Sequence, residues 1–400
     1  MNRTTANLRI HSLALLLALA GCASGGAGAQ VAAPAAAPAE PGIVHRFEQR
    51  PEGPWAIHVV EVDSRACGVS IASVKGGDRV EGVEATSAMA ARTGAVVAVN
   101  ADFFRARPFG VVEGPQVAGG EVVAAEGSYG PSVSARFSTP QAVFGVGRDG
   151  RAFVGAGSVV GSAWWRGGGA ALARVNAPPG ADSLALYNRF AGGATPMDSG
   201  AVELLLRVVR ASAAAGDTGV AVAVRLDTLP AGVAIDDDAV VLAGRGGAAA
   251  ALRAVAPGDT VRWTLPVRGA PGAVAELVGG FPLLLAEGRP VLDRVPSIRA
   301  AFALERHPRT AVGVRGDGRV LLVVVDGRQP GHSEGMTLPE LTGLLLELGA
   351  ANALNLDGGG STTLVVAGKV ANRPSDPVER PVTNALVVRS EGGAPCAPAR

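Results

Sequence analysis

From residue 43 onward the chain is built mainly of short apolar runs separated by glycine-rich turns. Residues 55–63 and 68–74 alternate between apolar and polar positions, as half-buried strands do. A helical period appears over residues 83–93 and again after Thr337, where a capping box precedes leucines spaced along one face. The pattern predicts an α+β fold of mixed, mostly antiparallel sheets with a few packed helices, in a single elaborated domain.

The N-terminus reads as a targeting segment. Arg3 and Arg9 precede an apolar run at 13–20 that is too short to span a bilayer. The run ends in Leu-Ala-Gly-Cys22, which resembles the bacterial lipobox, although an ordinary secretory signal with a chance cysteine would look similar. We expect a lipoprotein signal peptide at 1–21, lipid attachment at Cys22 and export from the cytoplasm.

Composition divides the rest of the chain. Residues 22–42 are rich in Ala and Pro, which predicts a flexible tether. Residues 43–391 are predicted to fold as the catalytic domain, and residues 392–400 to form a tail. The formal net charge of +1 gives no indication of a nucleic-acid partner. In an oxidising compartment Cys67 and Cys396 could form a disulfide that ties the tail to an early strand, or both could stay reduced.

One stretch concentrates polar chemistry between two apolar strands. Residues 353–366 run from a strand into Asp357, then three glycines, then the hydroxyls of Ser361, Thr362 and Thr363. Successive N–H groups of such a loop can form a nest for an anion, and the glycines let a ligand approach the main chain. The alternative is a plain hairpin turn, for which a shorter loop would suffice.

Other polar groups also lie next to predicted strands. Asn100 and Asp102 end one strand, residues 305–310 precede another, and Asp326 and Arg328 follow a third. The acidic trio at 236–238 raises the question of a metal, but adjacent carboxylates in an extended chain point to opposite faces, so a solvated loop is favoured. The sequence predicts no metal site and no cofactor.

The motifs resemble the phosphodiester glycosidase family, to which the lysosomal uncovering enzyme belongs. The resemblance rests on the ordered set of segments at 99–104, 279–284, 307–313, 325–331, 333–341, 353–363, 372–376 and 379–386. It covers most of residues 90–390 but is weak over 160–275, where substrate-specific elaborations would lie.

The resemblance implies cleavage between an anomeric carbon and a phosphodiester oxygen. Such chemistry needs one carboxylate as nucleophile or as base on water, and Asp357 is the first candidate, with Asp326 and Asp102 next. Arginines and loop N–H groups would grip the phosphate, and Asn side chains the sugar. The substrate-binding candidates are Asn100, Arg306, Arg309, Thr310, Arg328, Gly358, Gly359, Gly360, Ser361, Thr362, Asn372 and Arg380.

The expected function is extracytoplasmic hydrolysis of a sugar-1-phosphodiester in an envelope or exopolysaccharide-type glycan or glycolipid, by a protein anchored in the bacterial cell envelope. Two alternatives stay open. One is glycosyl transfer in exopolysaccharide assembly, and the other is a non-catalytic lipoprotein that binds glycan phosphates.

Overall fold

The computed structural model describes residues 41–106, 109–128, 130–198, 200–228, 232–295 and 298–391. The predicted signal peptide, lipid-attachment cysteine and tail lie outside the described residues. The strands before the middle of the chain are β1 (Ile43–Arg50), β2 (Trp55–Val62), β3 (Val69–Lys75), β4 (Val97–Asn100), β5 (Phe104–Ala106), β6 (Phe109–Val112), β7 (Gln116–Ala118), β8 (Glu121–Ala124), β9 (Ala142–Gly147), β10 (Ala152–Ala156) and β11 (Ser158–Val159).

The middle of the chain contributes β12 (Gly161–Trp165), β13 (Gly168–Val175), β14 (Leu184–Tyr187), β15 (Val202–Arg210), β16 (Thr218–Asp227), β17 (Ala239–Gly244) and β18 (Thr260–Thr264). The later strands are β19 (Val267–Arg268), β20 (Val274–Gly280), β21 (Leu283–Ala286), β22 (Arg289–Pro290), β23 (Arg309–Arg315), β24 (Val320–Val325), β25 (Ala350–Asn355), β26 (Leu364–Val366), β27 (Lys369–Val370) and β28 (Asn384–Ser390). The α-helices are α1 (Thr86–Thr93), α2 (Val133–Arg136), α3 (Gly246–Leu252), α4 (Ala300–Leu304) and α5 (Leu338–Glu347).

The predicted α+β class is wrong, because the protein is mostly β. Strands make up 45% and helices 13% of the structure. The described α-helices are four to ten residues long, too short to form a layer comparable with the sheets. Most apolar runs are short and lack a helical period, so they pair as strands instead.

The described strands form three large sheets, two two-stranded sheets (β5-β6 and β11-β19) and a barrel. One sheet has the order β1-β2-β24-β23-β25-β21-β22, a second β27-β26-β4-β28-β3, and a third β10-β9-β20-β7-β8. Strands β12-β13-β14-β17-β15-β16-β18 close into a seven-stranded barrel, in which only β13 and β14 are parallel neighbours. The barrel strands span residues 161–264.

A common core joins the three sheets. Val312, Val324 and Leu354 of the first sheet, Val99 of the second and Phe144 of the third belong to one buried apolar cluster. The opposite face of the first sheet packs against α5. Side chains at the ends of β4, β23 and β24 therefore meet at one edge of this core.

Helix α5 forms as its sequence predicts. Thr337 and Glu340 make a reciprocal capping box, and Leu341, Leu344 and Leu345 are buried. Helix α1 begins at Thr86, three residues later than the predicted start at 83, and ends at a left-handed Gly94.

The described chain ends close to Cys67. The Glu391 N–H donates to the Gly68 carbonyl at 2.8 Å. Cys67 is disulfide-bonded, but Cys396 lies outside the described residues, so the predicted pairing stays a prediction. Within the described part of the chain, no helix is long and apolar enough to cross a membrane.

Candidate functional site

Four strand ends bring the predicted site residues together. Strand β4 ends at Asn100, β23 begins beside Thr310, β24 leads into Asp326, and β25 leads into Asp357. Because β23 runs antiparallel to both β24 and β25, its beginning lies beside their ends. The topology therefore accounts for how distant motifs form one site.

Asn100 lies at the centre of this cluster and is fully buried. Its Nδ2 donates to the Asp357 carbonyl at 2.6 Å, and its Oδ1 accepts from Thr310 Oγ1 at 2.8 Å and from the Thr363 N–H at 3.1 Å. The amide thus links β4 and β23 to the glycine loop. Asn100 and Thr310, predicted to bind substrate, hold the loop in place.

Most N–H groups of the glycine loop donate hydrogen bonds within the protein. Those that donate within the protein belong to Gly358, Gly359, Ser361, Thr362 and Thr363. A nest of free amides for an anion is therefore not the arrangement in this structure. The glycines make room for arginines instead.

Two guanidinium groups lie over the loop. A Cβ at Gly359 would come within 3.1 Å of Arg328 Nη2, and one at Gly360 within 2.1 Å of Arg380 Nη2. Arg380 is paired with Asp376 at 2.7 Å and reaches Ser361 Oγ at 3.5 Å. Arg328 and the Arg380–Asp376 ion pair therefore both lie against the glycine loop that follows Asp357.

Asp357 stands at the start of this loop. Burial raises the pKa of Asp357 to about 6, although hydrogen bonds from Ser361 and Gly358 and the charge of Arg380 act in the opposite direction. The carboxylate is therefore ionised at neutral pH and remains basic enough to accept a proton under mildly acidic conditions.

Asp102 is a second carboxyl group near Asp357, and only 2% of it is exposed. Its Oδ2 accepts from the Gly114 N–H at 2.8 Å, while its Oδ1 is buried without a partner among the described residues. Burial raises the pKa of Asp102 to about 8, and the negative charges of Glu113 and Asp357 add to this effect. Asp102 is therefore predominantly protonated at pH 7.

Asp326 is held by several hydrogen bonds. It accepts from His332 Nε2 at 2.9 Å, from Asn372 Nδ2 at 3.0 Å and from the Arg373 N–H at 3.0 and 3.1 Å. Asn372 also donates to the Thr362 carbonyl at 3.1 Å. Because its lone pairs are engaged, Asp326 acts chiefly as an anchor for the segment that follows the loop.

Arg309 and Arg306 occupy different environments from Arg328. Arg309 is buried and donates to the carbonyls of Met336, Phe302 and Glu305 at 2.8–3.0 Å. Arg306 pairs with Glu340 at 2.6 Å and Glu334 at 3.1 Å. These contacts indicate that Arg306 and Arg309 mainly stabilise the fold, whereas Arg328 and Arg380 border the loop.

Two histidines that were not among the predicted site residues also lie here. His332 bonds Asp326, and His307 Nδ1 lies 3.3 Å from Arg328 Nη2. The sequence contained a feature that indicates a contact between His332 and Asp326. Two glycines lie between them and allow the chain to turn back on itself. Among the described residues, no group of three or more His, Cys, Asp or Glu is arranged to hold a metal.

Comparison with known proteins agrees with the motifs after residue 275 and extends the resemblance back to residue 208, into the stretch where we expected it to be weak. Residues 208–389 match the family model described as phosphodiester glycosidase. The bovine N-acetylglucosamine-1-phosphodiester alpha-N-acetylglucosaminidase is 46% identical over 68 residues, which is 17% of this chain and 12% of that protein. The SPbeta prophage-derived uncharacterized protein YomE of Bacillus subtilis is 43% identical over 83 residues, 21% of this chain and 13% of that protein. The matched segments thus span only about an eighth of these relatives.

Solved structures share the fold over a larger part of the chain. A hypothetical protein from Synechocystis aligns with a TM-score of 0.66 and 23% identity, covering 87% of this chain and 62% of that one. A protein from Burkholderia pseudomallei K96243 aligns with a TM-score of 0.63 and 26% identity, covering 84% and 74%. The predicted resemblance is confirmed, since residues 208–389 of this chain match the phosphodiester glycosidase family.

Proposed function

We propose that this protein hydrolyses the bond between the anomeric carbon of a sugar and a phosphodiester oxygen. The observation that carries the proposal is the position of Asp357, an ionised carboxylate at neutral pH, beside Arg328 and Arg380 at the glycine loop. A phosphodiester is a monoanion, which guanidinium groups bind through charge-assisted hydrogen bonds. A carboxylate next to this anion site is what attack at the sugar carbon requires.

The residues divide the work as follows. Arg328 and Arg380 bind the phosphate and neutralise the charge that develops on it. Asp357 acts at the anomeric carbon, either directly as nucleophile or by taking a proton from attacking water. The carbon–oxygen bond breaks with its electron pair moving to the phosphate, which leaves as a stable anion, and water supplies the hydroxyl group of the released sugar.

Asp102 complements Asp357 because its carboxyl group keeps its proton at pH 7. Because Asp102 is only 2% exposed, it acts from behind the site and does not contact the substrate. Its bound proton keeps a second negative charge away from the phosphate and from Asp357. Asp326, Asn100 and Asn372 position the loop.

The proposal extends to where the enzyme works. The N-terminal lipobox-like segment supports attachment to the bacterial cell envelope through Cys22, and envelope or exopolysaccharide-type glycans and glycolipids are then the accessible substrates. Hydrolysis by this chain needs no resident cofactor in this scheme.

The test measures sugar release from a synthetic α-N-acetylglucosaminyl-1-phosphodiester by the purified chain, with and without EDTA. We expect turnover that survives EDTA in the wild type and in the control Asp237→Asn, which alters an exposed carboxylate on the barrel. Asp357→Asn should lose at least about a hundredfold in kcat with the fold retained. Turnover in Asp357→Asn equal to the wild type would remove Asp357 from the mechanism.

The same assay separates the two alternatives. Glycosyl transfer predicts a new disaccharide when acceptor sugars are added, whereas hydrolysis predicts the free sugar alone. A purely binding module would retain saturable affinity for the diester and release no sugar from any phosphodiester offered. Loss of activity on adding EDTA would show that a metal ion takes part.

A further inference from the structure

Arg328 has a backbone conformation that is unusual for its residue type. Its φ is 59°, in the left-handed region that residues with a Cβ rarely adopt. Its N–H donates to the Glu334 carbonyl at 3.3 Å, within the turn that follows β24. Such a conformation persists where the surrounding structure fixes it, and it is enriched at binding and active sites. The backbone thus sets the direction in which the Arg328 side chain leaves the turn.

The Arg328 guanidinium is exposed and lies against Gly359. A Cβ at Gly359 would be 3.1 Å from Arg328 Nη2 and 3.2 Å from Nη1, so a larger residue there would crowd the guanidinium. Among the described residues, Arg328 forms an ion pair with no carboxylate, whereas Arg380 is paired with Asp376. The positive charge of Arg328 therefore remains available to a bound anion.

The side-chain partner of Arg328 is His307. The backbone of His307 is held by Met336, whose N–H donates to the His307 carbonyl at 3.0 Å. His307 Nε2 lies 3.3 Å from the Ala301 carbonyl, which can only accept, so Nε2 carries the proton of the neutral ring. Nδ1 is then unprotonated and accepts from Arg328 Nη2 at 3.3 Å.

The electrostatic surroundings keep the His307 ring neutral. Burial and the positive charges of Arg309 and Arg328 lower the pKa of His307 below its usual value of 6.5. The Ala301 carbonyl and the Glu305 carboxylate act in the opposite direction but do not outweigh them. At pH 7 the imidazole therefore has one nitrogen that can accept a hydrogen bond.

We propose that His307 is a positioning residue of the phosphate site, whose Nδ1 accepts from Arg328 Nη2 and directs the guanidinium without neutralising it. A carboxylate in this place would also hold Arg328, but it would compete with the phosphate for the same charge. A neutral imidazole fixes the direction and leaves the charge for the substrate. The inference rests on the proposed function for the identity of the anion.

The first test measures binding of dimethyl phosphate to the full chain by ³¹P NMR titration. This diester is a monoanion without a glycosidic bond, so the measurement does not depend on turnover. His307→Phe keeps a ring but removes the acceptor, and it should weaken binding at least about fivefold because a hydrogen bond to a charged group is lost. His307→Asn retains an acceptor near the place of Nδ1 and should stay within about twofold of the wild type.

A matched control and a double-mutant cycle separate positioning from a general structural role. His45→Phe removes a ring that bonds His58, and it should bind dimethyl phosphate as the wild type does. If His307 acts through Arg328, His307→Phe should have no further effect on binding in the Arg328→Ala background. The same fold loss in both backgrounds would show that His307 acts independently of Arg328 and would overturn the proposal.

The ¹⁵N NMR spectrum of the imidazole nitrogens tests the hydrogen bond in the wild type, without any variant. We expect a protonated Nε2 and an unprotonated Nδ1 for His307 at pH 7. A proton on Nδ1 would overturn the proposal, because that nitrogen could not accept from Arg328.

The outcomes distinguish this inference from the proposed function. If sugar is released but His307→Phe binds dimethyl phosphate as tightly as the wild type, the positioning role is overturned and the reaction stands. If no sugar phosphodiester is hydrolysed but His307→Phe weakens binding only when Arg328 is present, the reaction fails and the positioning role stands. Failure of the wild type to bind dimethyl phosphate would remove the anion site and this inference with it.

Discussion

Asp102 offers a direct test of the electrostatics at the site, because replacing it should stabilise the protein. Its carboxyl group is buried, one oxygen lacks a partner among the described residues, and burial raises its pKa to about 8 from 3.8. Asp102→Asn keeps an oxygen for the Gly114 N–H and cannot ionise. We expect this variant to be more resistant to unfolding than the wild type at neutral pH.

The size of the effect follows from proton binding. The folded protein holds the Asp102 proton between pH 3.8 and 8, whereas the unfolded chain releases it above pH 3.8. Stability of the wild type therefore falls as pH rises through this window, by about 1.4 kcal/mol per pH unit. The stability of Asp102→Asn relative to the wild type should therefore rise by about 2 kcal/mol from pH 4 to pH 5.5 and by about 4 kcal/mol from pH 4 to pH 7.

Urea unfolding of both proteins at these three pH values measures the difference. Glu347→Gln provides a control of opposite sign, because the hydrogen bond from Arg50 lowers the pKa of Glu347 and its ionised form stabilises the fold. That variant should be slightly less stable at pH 7. A pH-independent difference for Asp102→Asn, or a loss of stability at pH 7, would refute the reasoning.

Three further predictions concern activity. The pH profile of kcat/KM should rise on the acid side with an apparent pKa of about 6 as Asp357 ionises, and Asp357→Asn should leave no such limb. Gly360→Ala should reduce kcat/KM at least about tenfold, because the new methyl group would collide with the Arg380 guanidinium, and a crystal structure should show that arginine displaced. Arg328→Ala should raise KM by about tenfold to a hundredfold. Arg306→Ala breaks ion pairs away from the loop and should leave KM unchanged. Equal effects of the two substitutions on KM would contradict the assignment of Arg328 to phosphate binding.

The sequence predicted which residues the fold brings together better than it predicted the fold class. Asn100, Thr310, Asp326 and Asp357 stand at strand ends, which apolar patterning reveals without knowledge of the topology. The seven-stranded barrel was not predicted, because its closure pairs β12 with β18, strands separated by about a hundred residues. Local pattern carries no information about such long-range pairing.

The roles of these residues were harder to predict than the fact that they lie together. The glycine loop suggested an anion nest, yet its N–H groups are mostly used internally, and the glycines provide space for Arg328 and Arg380. Arg306 stands in the motif with Arg309 but forms ion pairs with Glu334 and Glu340. These differences depend on which face of a strand or turn each side chain occupies, and only the folded chain determines that.

The central claim is that the bond broken joins the sugar carbon, not the phosphorus, to the bridging oxygen. Hydrolysis of a sugar-1-phosphodiester in ¹⁸O-labelled water, followed by mass spectrometry of both products, tests it most directly. The account predicts the label in the anomeric hydroxyl group of the released sugar and none in the phosphate. Label in the phosphate would show attack at phosphorus and contradict the assignment of Asp357 to the sugar carbon.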